Sequence, residues 1–216
     1  MNAQNDPVSG SRLSQRLKTE TAQQHERMHV LMEQCNPFAD LGHYACFVAA
    51  QYLFQRDVEH LFHDAAVKTV VPDLEARGRE EASQADLADL GVEVPQSVLA
   101  SEGVGMPEAL GWLYVSEGST LGAAFLFKEA KERLGLSETF GARNLAAYPR
   151  GRALAWRAFV ESLDAPALGD AAIQDQVIAG ANAAYDRFGS LLEQHFPRSV
   201  EKSKDVDHSE AREPAL

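Results

Sequence analysis

Residues 107–128 read Pro107-Glu-Ala-Leu-Gly-Trp-Leu-Tyr-Val-Ser-Glu-Gly-Ser-Thr-Leu-Gly-Ala-Ala-Phe-Leu-Phe-Lys128, a helix by composition that nevertheless carries Gly111, Gly118 and Gly122. A glycine inside a helix costs roughly 1 kcal/mol relative to alanine, so three of them need a reason. At about 100° per residue, their spacing places all three within roughly 40° of one another on the helical wheel. The helix thus has a stripe without side chains. Such a stripe admits either the backbone of a neighbouring helix, the plainer reading, or a flat ligand at contact distance from the main chain.

The rest of the chain bounds the choice. Its 216 residues are 45% hydrophobic, enough for one core and one domain. A formal net charge of −12 argues against nonspecific nucleic-acid binding and against an anionic membrane surface. Cys35 and Cys46 have no metal-ligand spacing and are too few for a disulfide framework, so a reducing, cytoplasmic setting is expected. Glu117 and Lys128 interrupt the best apolar stretch, which leaves no bilayer-spanning segment. Residues 1–10 are polar without a signal-peptide core and read as a flexible N-terminus. Residues 198–216 form a mixed-charge tail that reads as disordered, leaving 11–197 as the folded domain.

Within that domain the apolar spacing is helical throughout. Leu13, Leu17, Met28, Leu31 and Met32 mark a first helix ending before Cys35-Asn-Pro-Phe38, and Tyr44 to Phe62 mark a second over about 40–66. A charged helix is expected over about 79–90, then a loop, then the glycine helix from near Pro107. Residues 137–149 read as an irregular connection before helices over 150–163 and 169–196, the last capped by Asp170. No run alternates with period two, so the fold is all-α.

Among seven histidines, His25 and His29 lie one turn apart, a spacing at which two imidazoles can share a metal, although no Glu-x-x-His accompanies them. His60 and His63, flanked by acids, read as a solvated face, and His195 as a favourable cation at a helix C-terminus. Lys18, Thr21 and His25 share one face of the first helix. Seven residues rise about 10 Å, close to the separation between a porphyrin iron and its propionates. One helix can therefore offer an imidazole to iron and an ammonium to a propionate, opposite a helix with a bare stripe.

Three strings carry a resemblance: Ser14-Gln-Arg-Leu-Lys-Thr-Glu-Thr-Ala-Gln-Gln-His25, Phe47-Val-Ala-Ala-Gln-Tyr-Leu-Phe-Gln55, and Gly111 to Phe127 of the glycine helix. The chain resembles bacterial heme oxygenases of the iron-acquisition type from about Leu13 to Phe196. The resemblance implies a single-domain all-α fold with heme b, both cofactor and substrate, held between a proximal and a distal helix. It also implies cleavage of the ring to biliverdin, ferrous iron and carbon monoxide, using O2 and an external electron donor. By the same match His25 is the axial ligand to iron, and Gly118 and Gly122 are the glycines that bring distal backbone over the ring.

Further residues follow from the resemblance. Lys18 and Arg157 are expected at the propionates, Tyr114 and Phe125 along the pocket, and Tyr185 and Phe188 at its far wall; Thr21 joins the binding residues through the helix face it shares with Lys18 and His25. Ser119 stands where related animal enzymes carry an aspartate, and His29 where many members have a glutamate that orients the axial imidazole. The expected donor is a ferredoxin with an NADPH-dependent reductase, meeting a patch that includes Lys128, Lys131 and Arg133; the protein is expected to be monomeric. Some relatives turn the ring by about a quarter, holding the propionates with lysines at positions that here are Glu33 and Glu129. That difference favours the α isomer of biliverdin. The alternatives are a noncatalytic heme carrier or sensor and a metal-binding bundle built on His25 and His29.

Overall fold

The computed structural model describes residues 12–196, so the expectations for 1–10 and 198–216 lie outside the described residues. Eight α-helices occur among them, with no strand: α1 Leu13–Glu20, α2 Ala22–Cys35, α3 Leu41–His60, α4 Ala65–Val70, α5 Glu80–Asp89, α6 Glu108–Leu134, α7 Arg152–Leu163 and α8 Ala171–His195. Side-chain caps set three of the starts. Asp40 accepts from His43 N at 2.8 Å for α3, Asp64 from Ala66 N at 2.7 Å for α4, and Asp170 from Ala172 N at 2.9 Å for α8. Asn36, left-handed at φ 41°, ends α2, and Gly135, at φ 71°, ends α6.

The first predicted helix is divided at Thr21 into α1 and α2. The Thr21 hydroxyl donates to the Leu17 carbonyl at 2.7 Å, a back-bond that bends a helix without breaking it. The backbone bonds from Thr21 N to Leu17 O and from His25 N to Thr21 O, both 3.0 Å, run through the bend. The second predicted helix ends at His60, with a 3-10 turn over 61–63 and short α4 beyond it.

α6 and α8 form the most extensive helix pair. A Cβ on Gly111 would lie 2.1 Å from Val177 O, and one on Gly180 would lie 2.1 Å from Glu108 O. The two backbones touch, so at Gly111 the stripe is a helix crossing. At Gly122, by contrast, an added Cβ meets nothing within 4 Å. Residues 109–117 are all buried, whereas Gly118, Ser119, Leu121, Gly122, Ala124 and Phe125 are not. The glycine stripe therefore serves two purposes, changing from packing to opening at Gly118.

The crossing gives a direct expectation. Gly111→Ala is expected to lose about 3 kcal/mol, the upper end for overpacking against a core that cannot shift, whereas Gly122→Ala gains up to about 1 kcal/mol of helix propensity. Urea unfolding of the heme-free variants measures both, and equal effects at the two positions would contradict the division.

His195 is not the helix-end cation its position suggests. It is half-buried, its Nε2 has no hydrogen-bond partner, and burial pushes its pKa below the usual imidazole value. The unfolded chain therefore takes up a proton near pH 6.5 that the folded state refuses. Stability is fully present above that pH and falls as pH drops toward the lower folded value. His195→Gln is expected to lessen the fall in urea midpoint between pH 7.5 and 5.5; an unchanged fall would show that the group does not matter.

Candidate active site

The bend at Thr21 brings α1, α6 and α8 together around one hydroxyl. Thr21 is buried, and its hydroxyl lies close enough to the phenols of Tyr114 on α6 and Tyr185 on α8 to counter part of their burial. Burial still pushes Tyr114 up to about 12. One turn beyond Thr21 the His25 ring is exposed, 4.6 Å from the ring of His29 in an edge-on arrangement. Desolvation first, then the neighbouring His29, lowers the His25 pKa. A neutral imidazole with an accessible nitrogen is the form that ligates iron. Lys18, one turn before Thr21, is exposed and makes no hydrogen bond or ion pair with any described residue.

On α6, one turn beyond Tyr114, stands Gly118. A Cβ there would make only ordinary contact, 3.7 Å from the indole of Trp156, which also lies 5.5 Å ring to ring from Tyr114. Leu121, Gly122 and Phe125 fall within about 100° of Gly118 on the same helix face. Leu121 is 39% exposed and Phe125 78% exposed. Large apolar side chains around an uncovered backbone form a face suited to a flat apolar ligand.

Side chains crowd the carbonyls of α6 where this face begins. Ser119 Oγ donates to Ser116 O and Thr120 Oγ1 to Glu117 O, each at 2.6 Å, and Arg79 Nη2 adds a bond to Ser116 O at 2.7 Å. Side chains that compete for consecutive carbonyls weaken the backbone ladder and let a helix bend. The Ser119 hydroxyl proton is thus directed to its own helix.

The residues gripping this turn were not singled out from the sequence. Glu117 and Arg77 are both buried and paired at 2.6 Å, and Arg77 is also held by two 2.8 Å bonds to Asp73 and lies 5.4 Å from the centre of the Phe159 ring. The Tyr148 hydroxyl is 2.8 Å from both Glu117 oxygens. Arg79, also buried, reaches the hydroxyl and carbonyl of Ser116 while its Nε lacks a partner. The available signal was a lone acid, Glu117, in an apolar run, because a buried carboxylate needs a cation. Trp156 carried no such signal.

Arg157 on α7 is exposed and, like Lys18, has no partner among the described residues. Phe188 is partly buried and packs 5.3 Å ring to ring against Phe54, on the same helix as the buried Tyr185. Lys128 and Arg133 pair with Glu132 and Glu129 along α6. Among the described residues no group of three or more His, Cys, Asp or Glu can hold a metal ion, which leaves His25 and His29 without a third ligand. No helix among them is long and apolar enough to cross a membrane.

Comparison with known proteins agrees with this geometry. The heme oxygenase family model matches residues 11–194. The chain is 49% identical over 187 residues to heme oxygenase PigA of Pseudomonas aeruginosa, covering 85% of this chain and 92% of the relative. The NO- and CO-bound heme oxygenase of Neisseria meningitidis superposes with a TM-score of 0.79 at 37% identity, covering 87% of this chain and 93% of that one. Heme oxygenase-1 from the cyanobacterium Synechocystis, in complex with heme, shares the fold at TM-score 0.67 and 14% identity, covering 93% and 100% of the two chains. With an accessible neutral imidazole on one helix, bare backbone on another and a family match spanning nearly all of the described residues, the chain belongs to the heme oxygenase family.

Proposed function

We propose that the protein opens heme to biliverdin, with release of iron and carbon monoxide, and that it serves iron acquisition. The observation that carries this reading is the open face at Gly118, Gly122 and Phe125, together with the exposed imidazole of His25. Bound heme would supply the iron that takes up O2 and the ring that is oxidised. His25 would hold the iron from the proximal side, its lowered pKa keeping the nitrogen free of a proton. Gly118 and Gly122 would present main chain on the distal side, where no described side chain within 4 Å occupies the space above Gly122. With its hydroxyl proton given to Ser116, Ser119 would act as an acceptor toward bound water and leave proton supply to water held by the surrounding polar groups.

Lys18 and Arg157, exposed and unpaired among the described residues, are the cations available to the propionates. Glu33 and Glu129 repel carboxylates, and Glu129 is already paired with Arg133. Every 1.4 kcal/mol between two seatings is a factor of ten, within reach of one charge-assisted bond. The α isomer of biliverdin is the expected main product. Chromatography of the product decides the point: a dominant β or δ isomer, or a Lys18→Glu variant with an unaltered ratio, would contradict it.

The electron donor, of ferredoxin and reductase type, would meet the exposed end of α6 at Lys128, Lys131 and Arg133. Ion pairs along an exposed helix are weak, so Glu132 and Glu129 leave two of these cations free to exchange partners. Intramolecular packing of the apolar helix faces is in keeping with a monomer.

A further inference from the structure

Two described residues other than glycine have positive φ, Asn36 at 41° and Tyr148 at 57°. Asparagine enters that region readily, because its short amide bonds locally; a bulky aromatic residue does so only when its surroundings force it. Tyr148 opens the turn that leads to α7, its carbonyl accepting from Gly151 N at 2.9 Å. Nothing in that turn requires a tyrosine. What the strained backbone achieves is to aim the phenol inward, where it lies 2.8 Å from both oxygens of Glu117.

Glu117 is the residue immediately before Gly118. Its other partner, Arg77, is fixed by Asp73 and Phe159 but reaches only Oε2. The Arg77 bond holds one carboxylate oxygen; the single phenol proton of Tyr148, shared between both, adds a second direction of restraint. Burial and the adjacent carboxylate push the Tyr148 phenol above its usual value, so it remains a donor. The next turn of α6 has no lateral support at Gly122 and has carbonyls shared with side chains at 116 and 117. Its position therefore depends on how firmly Glu117 is held.

We propose that Tyr148 is a positioning residue for heme cleavage: from a strained turn its hydroxyl locks the Glu117 carboxylate on Arg77 and so sets where the Gly118–Gly122 stretch stands over the cleft. The inference rests on the heme cleft proposed above, but its test is made first on heme-free protein. Tyr148→Phe keeps the ring and the backbone strain and removes only the donor. Hydrogen exchange followed by mass spectrometry is expected to show the segment 115–124 exchanging about tenfold faster, with the other helices unchanged. In a Glu117→Met background, which keeps the side-chain length but leaves the Tyr148 hydroxyl no acceptor at that position, Tyr148→Phe is expected to add nothing further, because the two residues act as one unit.

With hemin, the same variant is expected to retain wild-type affinity within about twofold and to open the ring several-fold more slowly, a split between binding and turnover. Unchanged exchange at 115–124 would overturn the proposal. So would faster exchange spread over every helix, which would make Tyr148 a general stabiliser, or additive effects in the double variant. If the wild-type protein neither bound nor cleaved hemin, the functional reading would fail, while the exchange comparison would still report whether Tyr148 positions the helix.

Discussion

Gly122→Leu is expected to stabilise the heme-free protein and to abolish ring opening. The two effects have opposite signs because they arise in different states. In the heme-free fold an added Cβ at Gly122 meets nothing within 4 Å, so leucine replaces a poor helix former with a good one for a gain of up to about 1 kcal/mol. With heme seated as proposed, the isobutyl group would fill the open space beside Gly122 that the ring is to occupy. Thermal unfolding of the heme-free variant and a hemin turnover assay read the two effects. A fully active Gly122→Leu enzyme would show that the backbone does not approach the ring, and the glycine would need another explanation. Gly118→Leu should not show the stabilising half, since a Cβ there already touches the Trp156 indole at 3.7 Å and the larger leucine must compete with that ring for space.

His25→Ala is expected to abolish turnover while leaving weak hemin binding through the apolar face of Phe125 and Leu121. Changing even the groups that orient a metal ligand commonly costs 10- to 100-fold, and removal of the ligand itself is expected to exceed that range, a loss of more than about 100-fold. Imidazole added to the solution should partly restore the spectrum, because the cavity left by the side chain adjoins an exposed surface. His29, 4.6 Å away, is the one competing imidazole on the same helix. A normal spectrum and yield in the alanine variant would transfer the assignment to it.

Local rules made the helices readable, and the limits of those rules explain what was missed. The start of α8 followed from Asp170, which does accept from Ala172 and Ile173. The bend at Thr21 was not readable, because the apolar spacing from Leu13 to Met32 continues across it and the back-bond is one hydroxyl. Gly111, Gly118 and Gly122 look alike on a helical wheel; what separates them is Gly180, 69 positions beyond Gly111, against which only Gly111 packs. The same distance in sequence hid the anchor of α6 at Glu117. Arg77 meets Glu117 from 40 residues away and Tyr148 from 31 on the other side, so no local pattern joins the three. Lys18, Thr21 and His25 were readable because one helix face carries them all.

Titration of the wild-type protein with hemin, followed by a reductant under oxygen, separates an enzyme that opens heme from a protein that only carries it. A sharp Soret band is expected at one equivalent, altered by His25→Ala and decaying on reduction in oxygen as biliverdin appears. A Soret band that persists under reductant and oxygen would make the protein a heme carrier, and the absence of any band would remove heme from its chemistry; either result would contradict the account.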